Sequence, residues 1–443
     1  MLIHVVRSGD TLCSVAAQYR VDPGLLAAAN GVAGDGRLAV GQALAIQKVR
    51  TFHIVMPGDT LWSVARKYDV SLRTLYRNNY WLYGNPDIWP GQVLVISYQE
   101  DDRPTTFTTS YAYPFILARL LSATLPYMTA MAPFTYGLDK DGDLRPLDDQ
   151  RLLEETVRLG TAPLMHLSNL TEDDEFSAER SAKVLFNTEQ QTALIAQILS
   201  TMERKGYRGL DVDFEYLPAE QRVPYASFLH TLHNRLQPMG YPLMAAVAPK
   251  VSDEQPGQLY EGHGYPELGD AVDYLLLMTY EWGYSAGAPM AIAPLPNVRQ
   301  VLDYAVTVVP REKLLLGIPN YGYNWPIPYQ QGITKAVSLS NQEAVSLAVE
   351  NNVEIQYDEK VQSPWFQYTD RDGQKREVWF EDARSLKAKL DLVKEYDIGG
   401  CGFWNLMRPW PQGWTVLNSE FTVSDPSRIV SPASSSKNRI TSG

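Results

Sequence analysis

The chain has 443 residues, of which 45% are hydrophobic and 20% charged, the balance of an ordinary globular protein. Its net charge is −12 and residues 1–100 are nearly neutral, so the rest of the chain is acidic, which argues against nucleic-acid binding through a basic face. The two cysteines provide no disulfide framework, and no apolar stretch approaches the roughly 20 residues that span a bilayer.

An internal repeat begins at the N-terminus. The run His4–Leu12 returns as His53–Leu61 at an offset of 49 residues. Each copy predicts a strand, two helices and a second strand. A Gly-Asp pair makes the turn after the first strand, and Thr11 or Thr60 can then cap the next helix.

Both copies resemble the LysM family, whose modules bind polymers that contain N-acetylglucosamine. The resemblance rests on a Gly-Asp-Thr-Leu run, a later Asn and a Val-Gly-Gln or Pro-Gly-Gln triplet, each present twice within residues 2–97. It implies a shallow glycan groove between the loop after the first strand and the loop before the second. The candidate glycan-binding residues are Gly9, Asp10, Thr11, Leu12, Asn30, Gly58, Asp59, Thr60, Leu61, Asn79, Asp87 and Ile88. A purely structural role for the Gly-Asp turn is the alternative, and the aromatic run 80–83 suits core packing as well as sugar stacking.

The composition divides the chain into five predicted segments. The two modules cover 2–47 and 52–97, and a short polar linker follows at 98–106. A large domain covers 107–423, and a polar, Ser-rich tail at 424–443 is predicted to be flexible.

Eight short β-rich runs alternate with helical patterns in the large domain. The runs are Thr108–Tyr113, Tyr127–Pro133, Ala162–Ser168, Gly209–Glu215, Leu243–Ala248, Tyr274–Met278, Lys313–Ile318 and Gly400–Trp404. One intervening helix is predicted from its cap at Asn187 to its stop at Gly206. This alternation predicts an α/β fold, a (β/α)8 TIM barrel, with a doubly wound sheet as the alternative. The segment Tyr357–Asp382 predicts a β-hairpin insertion.

Three carboxylates alternate along the fourth β-rich run. Because alternate side chains of a strand share a face, Asp211, Asp213 and Glu215 should all point one way. Inside a barrel they are costly unless they are hydrogen-bonded or partly neutralised, and crowding raises at least one pKa. A carboxylic acid can thereby stay protonated at neutral pH, and Glu215 lies at the strand end where barrels do chemistry. An edge strand with a solvated acidic face is the alternative.

This run resembles the Asp-x-x-Asp-x-Asp-x-Glu signature of family 18 glycoside hydrolases. The run Met278–Glu281 and Trp404 resemble other family marks, on strands six and eight. The resemblance covers residues 2 to about 423 and is strongest to the LysM-bearing spore cortex-lytic N-acetylglucosaminidases of spore-forming bacteria. Two positions depart from the pattern, because Arg208 replaces the first Asp and Glu281 replaces the Asp usual after Tyr280.

The resemblance implies a substrate-assisted retaining mechanism, an exception to the scheme with two working carboxylates. Glu215 would protonate the glycosidic oxygen while the substrate's own 2-acetamido carbonyl attacks the anomeric carbon. Asp213 would orient the acetamido group, Asp211 would hold Asp213, and Tyr280 would hydrogen-bond the acetamido oxygen. Trp404 would form the floor under the −1 sugar. Further candidate cleft residues are Met278 and Glu281, together with six for which ordinary packing is the alternative, namely Tyr111, Asn320, Tyr321, Phe134, Trp282 and Trp325.

The predicted function is cleavage of N-acetylglucosamine linkages in peptidoglycan, in particular that of the spore cortex. A chitinase and a non-catalytic, lectin-like glycan-binding protein are the alternatives. No metal or cofactor is expected, because His230 and His233 lie one helical turn apart with no third ligand evident. We expect a monomer in the spore coat or cortex layers, with a glycan partner and no membrane span, since no secretory signal pattern is visible at the N-terminus.

Overall fold

The structure, a computed structural model, describes residues 1–99, 103–173, 175–426 and 429. Most of the predicted tail at 424–443 and residues 100–102 of the predicted linker lie outside the described residues. The β-strands are β1 Leu2–Val5, β2 Ala43–Ile46, β3 Val49–Ile54, β4 Val93–Tyr98, β5 Thr105–Ala112, β6 Ala130–Pro133, β7 Ala162–Pro163, β8 Met165–Ser168, β9 Leu210–Asp213, β10 Leu243–Val247, β11 Tyr274–Leu277, β12 Leu314–Pro319, β13 Gly322–Pro326, β14 Val337–Leu339, β15 Gln356–Asp358, β16 Ser363–Thr369, β17 Lys375–Trp379, β18 Gly400–Trp404 and β19 Thr422–Val423.

Helices connect these strands along the chain. The α-helices are α1 Leu12–Tyr19, α2 Pro23–Asn30, α3 Leu61–Lys67, α4 Leu72–Asn78, α5 Ala118–Thr124, α6 Gln150–Arg158, α7 Ala178–Leu185, α8 Thr188–Lys205, α9 Arg222–Leu236, α10 Tyr265–Ala271, α11 Leu295–Val308, α12 Asn341–Glu350, α13 Ala383–Glu395 and α14 Pro411–Glu420. No helix among the described residues is long and apolar enough to cross a membrane.

Each N-terminal module is the predicted strand–helix–helix–strand unit. Strand β1 pairs antiparallel with β2, and β3 pairs antiparallel with β4. Thr11 and Thr60 cap α1 and α3 as predicted, because each side chain accepts the backbone N–H three residues further on. The turn before each cap needs a left-handed residue, and Gly9 and Gly58 both adopt φ 91°.

All eight predicted β-rich runs contain barrel strands. Neighbouring strands follow the order β7-β6-β5-β18-β12-β11-β10-β9-β8 and pair in parallel. The third barrel strand breaks at Leu164 into β7, which pairs with β6, and β8, which pairs with β9. Because the two ends of the sheet meet at this one strand, the (β/α)8 prediction is confirmed and the doubly wound alternative is wrong.

Some predicted boundaries shift by a few residues. The linker predicted at 98–106 is shorter, because Tyr98 still belongs to β4 and β5 already starts at Thr105. The predicted helix is α8, in which the Asn187 side chain accepts two backbone N–H groups and Gly206 ends the helix at φ 76°. Both terminal signals of this helix are therefore confirmed.

The barrel interior is a packed apolar core with an aromatic layer at one end. Its lower part consists of apolar side chains from five strands, namely Ala130, Ala132, Ala162, Met244, Ala246, Leu276 and Leu315. Tyr111, Phe134, Met278 and Trp404 pack against this core near the carboxyl ends of the strands. Barrel enzymes carry their chemistry at this end, so the aromatic layer forms a floor for a site.

An insertion at residues 320–382 stands beside the barrel mouth. The predicted hairpin is β16 and β17, which pair antiparallel on either side of a turn at Asp370. It belongs to a larger sheet with the order β14-β13-β17-β16-β15, whose strand β13 follows directly after β12. Strands β13 and β14 were not predicted from the sequence; β13 pairs with β14 on one side and, across a long stretch of chain, with β17 on the other.

Both modules are packed against the barrel. In the first module, Ile355 N–H donates to the Val40 carbonyl at 2.9 Å, and Gln412 Nε2 donates to Asn30 Oδ1 at 2.9 Å. Thr415 of α14 donates to the Ala29 carbonyl at 3.0 Å.

The second module docks on the same helix and on the outside of the barrel. Asn418 Nδ2 of α14 donates to Asn78 Oδ1 at 3.0 Å, and the Arg119 guanidinium lies 3.5 Å from the centre of the Tyr83 ring. Tyr80 packs beside Tyr127 with ring centres 6.4 Å apart. The aromatic run 80–83 therefore serves core packing, which was one of its two predicted roles.

Candidate active site

The three carboxylates lie at the mouth of the barrel. Asp211 and Asp213 are in β9, buried, with Asp211 opposite His166 and Asp213 opposite Ser168 in the parallel register with β8. Glu215 follows two residues after the strand and is partly buried. The solvated edge strand that was the alternative is excluded, because β9 is paired on both sides.

Two residues fix the backbone around Glu215. Asn169 forms a reciprocal pair with it, accepting the Glu215 N–H at 2.9 Å and donating from Nδ2 to the Glu215 carbonyl at 2.9 Å. His263 donates from Nε2 to the Phe214 carbonyl at 2.7 Å and accepts the Ala248 N–H at 2.9 Å. Burial lowers the pKa of His263 to about 4, which keeps this ring neutral in its structural position. The acid is thus held on a rigid support.

The surroundings raise the pKa of two carboxyl groups in this cluster. Burial raises the pKa of Glu215 well above its ordinary value, and the neighbouring Asp213 raises it further. Burial also raises the pKa of Asp213 to about 7, an effect that His166 opposes and Asp211 reinforces. A glutamic acid that keeps its proton at neutral pH can act as a general acid.

A buried histidine adjoins the two aspartates. His166 in β8 places Nδ1 2.8 Å from Asp211 Oδ2 and Nε2 3.9 Å from Asp213 Oδ2. Neither His166 nor Asn169 was predicted as a site residue from the sequence. The signal was present, because in β8 His166 alternates with apolar Met165 and Leu167 and so points with Ser168 toward the barrel axis.

Tyr280 and Trp404 complete the hollow above the aromatic layer. The pKa of Tyr280 is raised well above its ordinary value by burial and then by four carboxyl groups, beginning with Asp213 and Glu215. Its hydroxyl therefore stays protonated within the field of the acidic row. Trp404 packs near Tyr111 and Phe134, with ring centres 5.4 Å and 5.0 Å away. The predicted site residues of β9, β11 and β18 thus converge.

Glu281 is held by two tyrosines at the edge of the cleft. It has a left-handed backbone at φ 64°, and its carboxylate accepts hydrogen bonds from Tyr321 and from Tyr323, the latter at 3.0 Å. Partial burial raises the pKa of Glu281, and both hydroxyl groups oppose that rise. The longer side chain that replaces the usual aspartate therefore still reaches a defined position beside Tyr280.

This arrangement joins a protonated acid, a buried carboxylate pair, a phenol and an indole floor. The model of Glycosyl hydrolases family 18 matches residues 173–408, and the LysM domain model matches residues 4–47 and 53–97. The chain belongs to glycosyl hydrolase family 18. The resemblances to this family and to LysM modules, stated from the sequence, are confirmed.

Some relatives match this family 18 enzyme over almost its whole length, and others over a smaller part of it. It is 37% identical over 433 residues to the cortical fragment-lytic enzyme of Bacillus subtilis (strain 168), which covers 96% of this chain and 99% of that protein. The crystal structure of the Bacillus cereus spore cortex-lytic enzyme SleL matches with a TM-score of 0.82 and 35% identity, over 96% and 99% of the two chains. A chitinase from Chromobacterium violaceum ATCC 12472 matches with a TM-score of 0.66 and 25% identity, over 71% of this chain and 99% of that one.

Two predicted cleft residues of the family 18 enzyme have structural roles instead. Asn320 is buried and its Nδ2 donates to the carbonyls of Asn405 and Arg408, which holds the loop after β18. Trp325 is fully buried and donates to the Gly287 carbonyl. Neither side chain is available to a sugar, so packing is the correct alternative for both.

The other departure from the signature lies away from the acid. Arg208 is exposed just before β9, and its N–H donates to the Pro163 carbonyl at 2.8 Å at the opposite end of the strand from Glu215. Its guanidinium therefore has no part in the site. Among the described residues, no group of three His, Cys, Asp or Glu side chains is placed to hold a metal ion.

Several candidate glycan-binding residues of the LysM modules are occupied within the fold. The Asp10 and Asp59 carboxylates bond to the rings of His4 and His53, at 3.0 Å and 2.8 Å, and to the backbone of the turn. Asn30 and Asn79 are buried, and their amide groups bond the backbone of the second strand, Ala45 and Val95 respectively. Leu61 is also buried.

The remaining candidates differ between the copies. Gly58, Thr60 and Asp87 are exposed in the second module, and Ile88 is half-buried. In the first module Gly9 and Thr11 are exposed and Leu12 is half-buried.

Proposed function

We propose that this enzyme cleaves N-acetylglucosamine linkages in the peptidoglycan of the bacterial spore cortex. The support is the full-length similarity to proteins named as cortical fragment-lytic enzymes, which extends over both modules and the barrel. The two chitinases, by contrast, match only 71% of this chain. The proposed location of the protein is therefore the spore coat or cortex layers, where fractionation of spores would detect it.

In the proposed reaction Glu215 is the general acid. It donates its proton to the glycosidic oxygen as the bond to the leaving sugar breaks. The carbonyl oxygen of the substrate's 2-acetamido group attacks the anomeric carbon and forms an oxazolinium ion. Water then opens this ring with Glu215 acting as base, so the configuration at the anomeric carbon is retained.

The remaining residues bind the substrate's acetamido group and the −1 sugar ring. Asp213 accepts its N–H and stabilises the positive oxazolinium ring, while Asp211 holds Asp213. The Tyr280 hydroxyl donates to the acetamido oxygen, and Trp404 supports the apolar face of the −1 sugar. Met278, Glu281 and Tyr321 line the same hollow, with Tyr111 beneath it.

One observation carries the proposal, namely that the partly buried Glu215 has a raised pKa beside Asp213, whose pKa is also raised. The test is hydrolysis of purified cortex fragments by the wild type and by Glu215→Gln, with products identified by mass spectrometry. Loss of the general acid should lower the rate on the order of 10²–10⁴-fold. The matched control is Glu220→Gln, because Glu220 is exposed on the turn that follows the same strand.

The outcomes separate three functions. Equal rates for wild type and Glu215→Gln would refute glycosidase chemistry at this site and leave a lectin-like glycan-binding protein. Faster release of reducing ends from chitin oligomers than from cortex fragments would make the protein a chitinase. Activity on cortex fragments that Glu215→Gln loses supports the proposal.

We propose that the second LysM module binds the glycan. Trp62 and Trp89 are 59% and 64% exposed, and each directly follows one of the two predicted groove loops. Cys13 and Ala39 stand at the equivalent positions of the first module, where Ala39 is buried against the barrel insertion. Exposed indole rings suit the apolar faces of sugars, whereas the corresponding loop of the first module packs against the barrel insertion.

The binding test uses Glu215→Gln as background so that the polymer is not digested. Trp89→Ala should weaken co-sedimentation with insoluble peptidoglycan by about tenfold, the value of one lost stacking contact. Phe186→Ala is the control, since Phe186 is a similarly exposed aromatic residue on the outside of the barrel. Unchanged binding by Trp89→Ala would refute the assignment. We also propose that the enzyme acts as a monomer, which light scattering would test.

A further inference from the structure

The mechanism above leaves one buried histidine without a task. His166 is fully buried between the two aspartates of β9, with Nδ1 2.8 Å from Asp211 Oδ2. Its Nε2 faces Asp213 Oδ2 at 3.9 Å, just beyond hydrogen-bond distance. The ring therefore spans both carboxylates from the neighbouring strand.

The side of the ring that faces Asp213 is unsatisfied. Among the described residues, His166 Nε2 and Asp213 Oδ1 have no hydrogen-bond partner. Leaving a buried polar group unpaired costs about 1–3 kcal/mol. His166 Nε2 is therefore free to take a proton from the carboxyl group that it faces.

Aromatic groups fill the rest of the histidine's surroundings. Phe134 stacks on the imidazole with ring centres 4.9 Å apart, and the Tyr111 ring meets it edge-on at 5.1 Å. Burial, then Asp211, raises the pKa of Tyr111 well above its ordinary value, so this phenol stays neutral. Neither neighbour can exchange a proton with the imidazole near neutral pH.

The charged groups near the ring are all acidic. Asp211 and Asp213 face it from β9, and Glu215 and Tyr280 lie beyond Asp213. Among the described residues, no Lys or Arg forms an ion pair with either aspartate. His166 is thus the basic group that can hold a proton beside these carboxyl groups.

We propose that His166 stores the proton that Asp213 gives up when a sugar binds, a role that rests on the glycosidase function proposed above. At rest the neutral ring donates from Nδ1 to Asp211, and Asp213 is protonated. On binding, the proton moves from Asp213 Oδ2 to His166 Nε2. Asp213 becomes the carboxylate that accepts the acetamido N–H, and His166 becomes an imidazolium between two carboxylates.

The step is balanced within the site. One O–H bond of Asp213 breaks and one N–H bond of His166 forms, and the reverse transfer follows when the product leaves. The total charge of the site does not change, because the transfer neither adds a proton to the site nor removes one. His166 is a positioning residue, because it acts on the substrate only through Asp213.

The first test is the pH profile of His166→Asn. An asparagine amide can keep the donor that faces Asp211 but has no titratable nitrogen toward Asp213. Without its cationic neighbour Asp213 ionises less readily, so the acidic limb of the kcat profile should move up by about one pH unit or more. At the acidic end kcat should fall about tenfold or more, while KM changes little.

The matched control is His233→Asn. His233 also adjoins an aspartate, with Nε2 3.3 Å from Asp273 Oδ1, but it lies on the outer helix α9. Its profile should coincide with that of the wild type. A uniform fall in kcat for His166→Asn, with the acidic limb in place, would show a merely structural role and overturn the proposal.

A second measurement needs no turnover. The ring nitrogens of His166 can be titrated by NMR in the wild type and in Asp213→Asn, with the signal assigned by its loss in His166→Asn. Removal of the carboxylate should lower the midpoint for His166, and an unchanged midpoint would refute the coupling. Because this readout is independent of substrate, it distinguishes failure of the proton store from failure of the proposed function.

Discussion

The free energy that docks the first LysM module on the barrel can be measured by adding one methyl group at the contact, as alanine in place of a glycine. Gly41 and Gly91 are equivalent residues of the two modules, with φ 81° and 88°, and their N–H groups donate to Val6 and Val55 at the same distance, 2.8 Å. A Cβ at Gly41 would lie 1.9 Å from the Ile355 carbonyl oxygen of the insertion. Nothing lies within 4 Å of a Cβ at Gly91.

The two alanine variants should therefore differ in free energy of unfolding. Gly91→Ala should cost about 1 kcal/mol, the strain of alanine in the left-handed region. Gly41→Ala carries the same strain and must also move the turn away from Ile355. That movement breaks the Ile355 N–H bond to Val40 and the bond from Arg384 to the Gly41 carbonyl, each worth about 1 kcal/mol.

With some loss of Ala39 packing, the total for Gly41→Ala is about 3–4 kcal/mol. The assay is urea unfolding followed by tryptophan fluorescence, together with limited proteolysis of the first module under native conditions. Gly41→Ala should be less stable than Gly91→Ala and should be cut faster in residues 1–47. Equal destabilisation and equal cleavage of the two variants would refute the docking energy derived from this contact.

Three further predictions follow from the site and its support. Tyr280→Phe should lower kcat on the order of 10²–10³-fold in a reducing-end assay, because it removes one donor to the acetamido oxygen. Its urea midpoint should match the wild type. Lys389→Met should cost about 3–5 kcal/mol of unfolding free energy, because it leaves Glu381 buried without its partner at 2.8 Å. Adding Glu381→Leu should recover most of that loss, and no recovery would contradict the pairing energy. His263 has a pKa of about 4 in the fold, so between its unfolded value near 6.5 and pH 4 the unfolded state binds more protons. Unfolding free energy should fall as pH drops through this window, by at most about 1.4 kcal/mol per unit, and His263→Gln should flatten the slope.

The barrel could be predicted because its strands carry strong local signals. Leu243–Val247 and Leu314–Pro319 are continuous apolar runs, and both faces of each are buried between the core and the helices. The insertion sheet was only half predicted. Its hairpin is local, but the pairing of β13 with β17 joins residues about 50 positions apart, which no short pattern specifies.

The acidic row could also be predicted, since alternation in one strand places its carboxylates together. Polar residues with a structural role could not be separated from ligand-binding residues by pattern alone. Asn320 and Asn79 were both predicted to bind sugar, yet each amide satisfies buried backbone groups. Conversely, the alternation of His166 with Met165 and Leu167 indicates only that its side chain points into the barrel, and the β8–β9 register then sets it opposite Asp211.

The position of α14 has a consequence for the order in which the protein is completed. This helix is near the end of the chain, and Gln412, Thr415 and Asn418 on it bond to both N-terminal modules. The modules are synthesised more than 300 residues before α14, so these three hydrogen bonds can form only after the barrel strands up to β18 have been made. Truncations that stop short of α14 should therefore weaken the docking of both modules, even where most of the barrel remains.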